Sequence, residues 1–192
     1  MSRKYKIAAF FCLLGVAIDQ VTKSIVKNTL APYGSYEVME NVFEFRYAEN
    51  TGMAFGIDIL AHLGLGEAFR TPLFVGITVL AVLIIGHLLR QSPDKAIRLP
   101  VGLGLILSGA FGNLIDRFRW GYVVDFVRVR VWPIDYHWPT FNMADTFISI
   151  GIALLIIDAL FSREPEPAEE GAVAIESDTE PEREAEEGPV GS

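Results

Sequence analysis

The stretch FNMADTFISIGIALLIIDALF, residues 141–161, decides the fold. From Phe147 onward it is almost wholly apolar, and with its leading turn it reaches the roughly 20 residues that a bilayer-crossing helix needs. Its first turn is polar, and Asn142, Asp145 and Ser149 fall at i, i+3 and i+7, on one face of a helix. A carboxylate beside hydrocarbon costs roughly 2.5–3.5 kcal/mol on insertion scales, so an acid in that position is by default a functional group. A second acid, Asp125, stands between Val124 and Phe126 shortly before this span. The two together point to chemistry carried out by a pair of carboxyls at the edge of a membrane.

Working outward, three further segments approach spanning length: residues 7–27, 72–89 and 99–115. The last two sit near the lower limit of about 17 residues, and the first has its clean apolar run broken at Asp19. The chain has 192 residues, 51% of them hydrophobic, and a mean hydropathy of +0.34. These figures predict an α-helical integral membrane protein with four transmembrane helices. Arg3, Lys4 and Lys6 ahead of residues 7–14, with Gly15-Val16-Ala17 behind, also fit a cleavable signal peptide. The four-span reading retains that segment, and the mass of the mature protein distinguishes the two.

The net charge of −8 belongs to the C-terminus. Residues 163–192 hold eleven acidic groups and two arginines, a net of −9, which leaves residues 1–162 at +1. With Pro165, Pro167, Pro181 and Pro189 among its glutamates, this segment is expected to be a disordered, acidic cytoplasmic tail. Lys and Arg divide eight to eight between the two sides, so the raw tally does not orient the chain. Short clusters near span ends carry more weight. Arg3, Lys4, Lys6 and the basic residues of segment 90–98 then place both termini in the cytoplasm.

The two outer connections are expected to hold strands. Phe43, Phe45 and Tyr47 alternate with Glu44 and Arg46, and Val127, Val129 and Val131 with Arg128 and Arg130. Trp120, Tyr122, Trp132, Tyr136 and Trp138 crowd the second connection, as rings do at headgroup level. A small extracytoplasmic β-cradle follows.

Polar residues from three spans collect toward that side. Gly104, Ser108 and Gly112 recur every four residues as a close-packing face, with Asn113, Asp116 and Arg117 at its outer end and an ion pair open to Asp116 and Arg117. Asp19 and Lys23 have the favourable i,i+4 order of an acid–base pair. Plainer roles exist for each: Asn142 and Asp145 fit a variant capping box, Asp125 suits a strand residue facing water, and Asn50 before Gly52 suits a turn. His62, His87 and His137 lack metal-site spacing, so no metal or cofactor is expected. The single cysteine, Cys12, excludes an intramolecular disulfide.

The ordered series Asp19-Gln20-Val21-Thr22-Lys23, Asn50-Thr51-Gly52-Met53-Ala54-Phe55, Gly112-Asn113-Leu114-Ile115-Asp116-Arg117, Val124-Asp125-Phe126 and Phe141-Asn142-Met143-Ala144-Asp145 resembles the bacterial lipoprotein signal peptidase family, type II. The resemblance covers about residues 5–162, which makes 1–162 the four-span membrane peptidase domain. Ser108 departs from it, since a glycine is often found there, and so does the acidic tail. The resemblance implies an aspartic endopeptidase of the inner membrane that cuts diacylglyceryl-modified prolipoproteins just before the lipidated cysteine. It implies Asp125 and Asp145 as the catalytic dyad, with Asn50, Asn113, Asp116, Arg117, Asn142, Asp19 and Lys23 as substrate-binding or supporting residues. Its partners would be lipid-modified signal peptides and membrane lipids, with no nucleic acid, and the enzyme would act as a monomer.

The chemistry agrees on its own terms. Two close carboxyls share a proton and titrate as a unit; the ionised member takes a proton from water while the neutral one donates to the scissile carbonyl. A first-turn helix position suits Asp145 as the base and leaves the proton on Asp125. Asn50, Asn113 and Asn142 carry amides able to hold an extended substrate backbone, and residues 43–47 with the 50–52 turn are expected to clamp it from outside. Other classes fit less well. A proton-coupled transporter also needs buried acids, but no inverted repeat is visible. A Ser24–Lys23 peptidase would use neighbours that point apart on a helix. A membrane scaffold leaves the converging acids unexplained.

Overall fold

A computed structural model describes residues 1–52, 69–131, 133–134 and 136–161. In chain order the elements are α1 (Arg3–Leu30), β1 (Ser35–Met39), β2 (Phe43–Asn50), α2 (Arg70–Gln91), α3 (Arg98–Trp120), β3 (Val123–Val131), β4 (Tyr136–His137) and α4 (Met143–Phe161). The four helices are long and apolar enough to cross a membrane. Each extends beyond its apolar run, α1 by including Asp19, Lys23 and Lys27. The charge at Asp19 that weakened this span in the sequence is neutralised inside the bundle. The acidic tail lies outside the described residues.

Large apolar side chains such as Phe10, Leu13, Leu80, Leu83, Ile156 and Leu160 face outward. Burial of such groups brings no gain in lipid, so close approach of small residues must hold the helices together. α3 is the hub and packs against α1 and α4. On one side a Cβ added at Gly104 would lie 2.5 Å from the Ala8 carbonyl, and one at Gly15 would collide with Ser108 Oγ. On the other, a Cβ at Gly109 would run into the Ala144 carbonyl, and Gly102 and Gly151 face each other's backbones. Ser108 is fully buried and returns its hydroxyl to the Leu105 carbonyl at 2.7 Å, so its polarity is satisfied within its own helix.

The two ends of the bundle are fastened differently. At one, Lys4 donates to the carbonyls of Arg90 (3.2 Å) and Ser92 (2.5 Å) and lies 3.6 Å from Asp94, so a cation on α1 closes the C-terminus of α2. At the other sits the sheet, antiparallel in the order β1-β2-β3-β4. Val26, Tyr47, Val124 and Phe126 form a core that ties the sheet to α1. β2 is thus an inner strand with a buried tyrosine, and residues 43–47 are part of the sheet's frame.

Two features of the sheet aim the site. A bulge in β2 sets Ala48 opposite Asp125 and Asn50 opposite Val123. Phe141 then bridges to β3, its carbonyl accepting from the N–H groups of Phe126 (3.0 Å) and Val127 (2.8 Å) and its N–H donating to Val127 (3.1 Å). The start of α4 is therefore stitched to the strand that carries Asp125.

Candidate active site

Asp145 occupies the first turn of α4, where backbone N–H groups lack helical partners. Asn142 Oδ1 accepts from the Asp145 N–H at 3.0 Å, and Asp145 Oδ2 accepts from the Asn142 N–H at 3.2 Å. This is the reciprocal capping box read from the sequence. It does not exhaust either residue. Asp145 Oδ1 also accepts from Asn113 Nδ2 at 2.9 Å, and Asn142 Nδ2 donates to Asp125 Oδ1 at 2.7 Å and to Asn113 Oδ1 at 3.1 Å. One asparagine caps a helix and reaches the second acid.

Asp125 is 1% exposed, so it is not a strand residue facing water. Its Oδ2 accepts from Asn50 Nδ2 at 2.9 Å, while Asn50 Oδ1 takes the Gly52 N–H at 2.9 Å in the expected turn. Gly52 has φ +114°, a conformation that favours glycine. Burial pushes the Asp125 carboxyl up to about 7, and the Asp145 charge adds to the rise; hydrogen bonds from Asn50 and Asn142 and the charge of Lys23 pull the other way. All four carboxyl oxygens of the pair thus receive a protein donor. Each of the three asparagine amides donates to one of the two acids.

Beneath this layer lies an ionic one. Lys23, Asp19 and Asp116 are fully buried, with Lys23 Nζ 2.9 Å from both Asp19 Oδ2 and Asp116 Oδ2. The ammonium also donates to Asn113 Oδ1 at 2.8 Å. Lysine has only donors and a carboxylate only acceptors, so Asn113 must present oxygen to Lys23 and nitrogen to Asp145. Asp19 Oδ1 accepts from the Ala144 N–H at 2.9 Å, and Asp116 accepts from Gln20 (2.8 Å) and the Val124 N–H (3.2 Å). The acids of this layer hold the backbone on either side of the site.

The open Asp116–Arg117 pairing is not made. Asp116 faces Lys23 inside the bundle, and the next residue on the helix points elsewhere. Arg117 donates to the Asn113 carbonyl at 3.1 Å and stacks 3.6 Å over the Phe74 ring, with Asp125 and Asp145 as the strongest charges upon it. Ser149 is exposed and returns its hydroxyl to the Asp145 carbonyl, so it stays out of the cluster. Ser24 is exposed while Lys23 is buried, which separates the alternative serine–lysine pair. His62 and Trp132 lie outside the described residues.

Sequence reasoning did not single out Gln20, Tyr47, Glu49 or Lys27 as neighbours of the site. Gln20 alone had a legible signal, one residue beyond Asp19 and three before Lys23 on the same helix.

Four spans capped by a small sheet, with paired carboxylates at their junction, define a multi-pass membrane enzyme, and two solved structures share the fold. Both are bacterial membrane enzymes determined by the in meso method. One aligns with a TM-score of 0.68 at 29% identity over 81% of this chain and 94% of its own, the other with 0.69 at 29% over 87% and 99%. The family model for signal peptidase (SPase) II matches residues 11–161, and the chain belongs to that family of peptidases. Among its relatives, the lipoprotein signal peptidase of Geobacter metallireducens is 39% identical over 83% of this chain and 94% of the relative. That of Moorella thermoacetica is 41% identical over 74% and 85%.

Proposed function

We propose that this chain removes signal peptides from diacylglyceryl-modified prolipoproteins by aspartic hydrolysis, with Asp125 and Asp145 as the catalytic pair. The observation that carries the mechanism is the convergence of Asn50, Asn113 and Asn142 on the two carboxyls. Family membership supplies the peptidase activity and the prolipoprotein substrate.

Asp125 carries the shared proton, in keeping with its raised affinity, and Asp145 is the base. Asn50 and Asn142 hold the two Asp125 oxygens from the protein side, so its proton points away from them and toward the substrate. A water between the acids loses a proton to Asp145 as its oxygen attacks the scissile carbonyl, and Asp125 protonates the carbonyl oxygen. The resulting diol collapses as Asp125 recovers its proton and Asp145 passes one to the leaving amine. No covalent intermediate forms. Asn113, Asn142 and Asn50 position the acids; Asp19, Lys23 and Asp116 hold the helices beneath them; Arg117 offsets the negative charge.

The site lies near the periplasmic face, with both termini cytoplasmic. The opposite end of the bundle carries the compact basic clusters of residues 3–6 and 90–98, and short clusters close to span ends favour the cytoplasmic side. One chain supplies both acids, which suits a monomer. Nothing favours transport: the polar groups gather at one end of the bundle instead of its midplane.

The test is incubation of purified protein with a diacylglyceryl prolipoprotein and with its unlipidated form. Cleavage of the lipidated substrate alone, lost in Asp125→Asn and in Asp145→Asn, is the expected result. Equal cleavage of both substrates would discard the lipid requirement, and retained cleavage in a folded Asp125→Asn/Asp145→Asn variant would discard the dyad.

A further inference from the structure

Beside the catalytic cluster, on the sheet end of α1, lies a second polar system that the mechanism does not use. Lys27 Nζ donates to Tyr122 Oη at 2.5 Å, Tyr122 and Tyr47 share a 3.2 Å hydrogen bond, and Tyr47 donates to Glu49 Oε1 at 2.8 Å. Donor chemistry fixes the direction of the whole chain. The lysine can only donate and the carboxylate can only accept, and the Tyr47 proton is committed to Glu49, so Tyr122 must donate to Tyr47. A cation and an anion are thus joined through two neutral phenols, each bond polarising the next. The ammonium also lies 4.5 Å from the ring centre of Trp120, 4.8 Å from that of Tyr122 and 6.0 Å from that of Tyr47. Tyr47 is itself 6% exposed, and burial together with these partners holds its phenol above the usual range and neutral.

This chain joins three elements: α1 through Lys27, the α3–β3 turn through Tyr122, and the end of β2 through Tyr47 and Glu49. The next residue of β2 is Asn50, whose amide holds Asp125 Oδ2. Glu49 lies opposite Val124 and Ala48 opposite Asp125, so a slackening of β2 here moves Asn50 relative to the acid.

We infer that Lys27, Tyr122, Tyr47 and Glu49 are positioning residues, a directional brace that holds the end of β2 so that Asn50 keeps its hydrogen bond to Asp125. The inference rests on the dyad reading above. The groups facing Asp125 are Asn50 on β2, Asn142 and Asp145 at the start of α4, Lys23 on α1 and Arg117 on α3. The brace touches none of them except Asn50, through the strand.

Tyr47→Phe and Tyr122→Phe remove one oxygen each and keep the rings. Two readouts are followed: cleavage of a diacylglyceryl prolipopeptide, and the titration of Asp125 by infrared spectroscopy of 13C-carboxyl-labelled protein, which needs no turnover. Asn50→Ala serves as reference and Glu49→Gln as a second route, since it keeps an acceptor but removes the anion. Losing the Asn50 bond takes away a group that favours charged Asp125, so the Asp125 midpoint should rise in both Tyr variants, by about half a unit or more. kcat should fall about tenfold, the rate equivalent of one ordinary hydrogen bond, with KM little changed. In the Asn50→Ala background, Tyr47→Phe should add nothing further. An unmoved midpoint in folded Tyr47→Phe and Glu49→Gln, or effects that add to those of Asn50→Ala, would overturn the brace. A shifted midpoint with normal cleavage would uphold the brace and count against the dyad.

Discussion

At the scale of single residues, the site is an exercise in matching donors to acceptors. Asp125 and Asp145 carry four oxygens, and four donors from Asn50, Asn113 and Asn142 meet them. A first prediction concerns pH. Asp125 holds its proton up to about 7 in the fold against an ordinary 3.8. Between those values the folded chain binds more protons than the unfolded one, so this group's stabilising effect is complete at low pH and is lost as pH rises through about 7. Under the proposed mechanism, activity should follow the same limb downward, because the proton lost is the one assigned to the scissile carbonyl. Asp145→Asn removes the charge that assists the rise, and infrared titration of Asp125 in that variant should show a lower midpoint. A second prediction concerns Lys23. Lys23→Met leaves Asp19 and Asp116 buried without their cation, a loss of about 3–5 kcal/mol, and the variant should unfold at markedly lower temperature in detergent. Lys23→Arg keeps the charge but not the compact ammonium between two carboxylates, and should rescue folding better than cleavage.

At the scale of elements, α3 organises the molecule because its small residues admit α1 on one face and α4 on the other. Gly109→Ala should cost about 1–3 kcal/mol, since the added methyl meets the Ala144 carbonyl and neither helix can retreat without strain. Gly76 and Gly86 on α2 have open space beside them, so Ala there should be neutral; denaturant titration of the three variants would separate the two cases. This contrast marks what the sequence discloses. The repeat Gly104, Ser108, Gly112 announced a close-packed face, the Asn142–Asp145 spacing announced a cap, and the alternation over 43–47 announced a strand. The destination of a side chain across the bundle was not legible in the same way. Asp116 and Arg117 are neighbours in sequence, yet one faces Lys23 and the other Phe74, because a helix turns its successive side chains about 100° apart. The brace from Lys27 to Glu49 was likewise invisible, since its members come from three elements whose meeting depends on the β2 bulge.

At the scale of the whole molecule, the sheet and the bundle form one device for bringing a strand acid to a helix acid. Val124 and Phe126 sit in the core beside Val26 while Asp125 between them turns to the site, and Phe141 ties the same strand to the start of α4. Orientation can be read directly: single-cysteine probes in a Cys12→Ser background should label from the periplasm at residue 41 and resist labelling at residue 94. The reverse pattern would place the site on the cytoplasmic side.

The buried Asp19–Lys23–Asp116 triad has a consequence for how the chain is made. Asp19 and Lys23 leave the ribosome within one turn of each other, so the first helix can enter lipid already neutralised by its own counter-ion. Asp116 is synthesised much later, and because Arg117 beside it turns to Phe74, its ion-pair partner is the lysine already placed in the first helix. A first helix with Lys23 removed would be handed to the translocon with an acid that lacks its i+4 counter-ion.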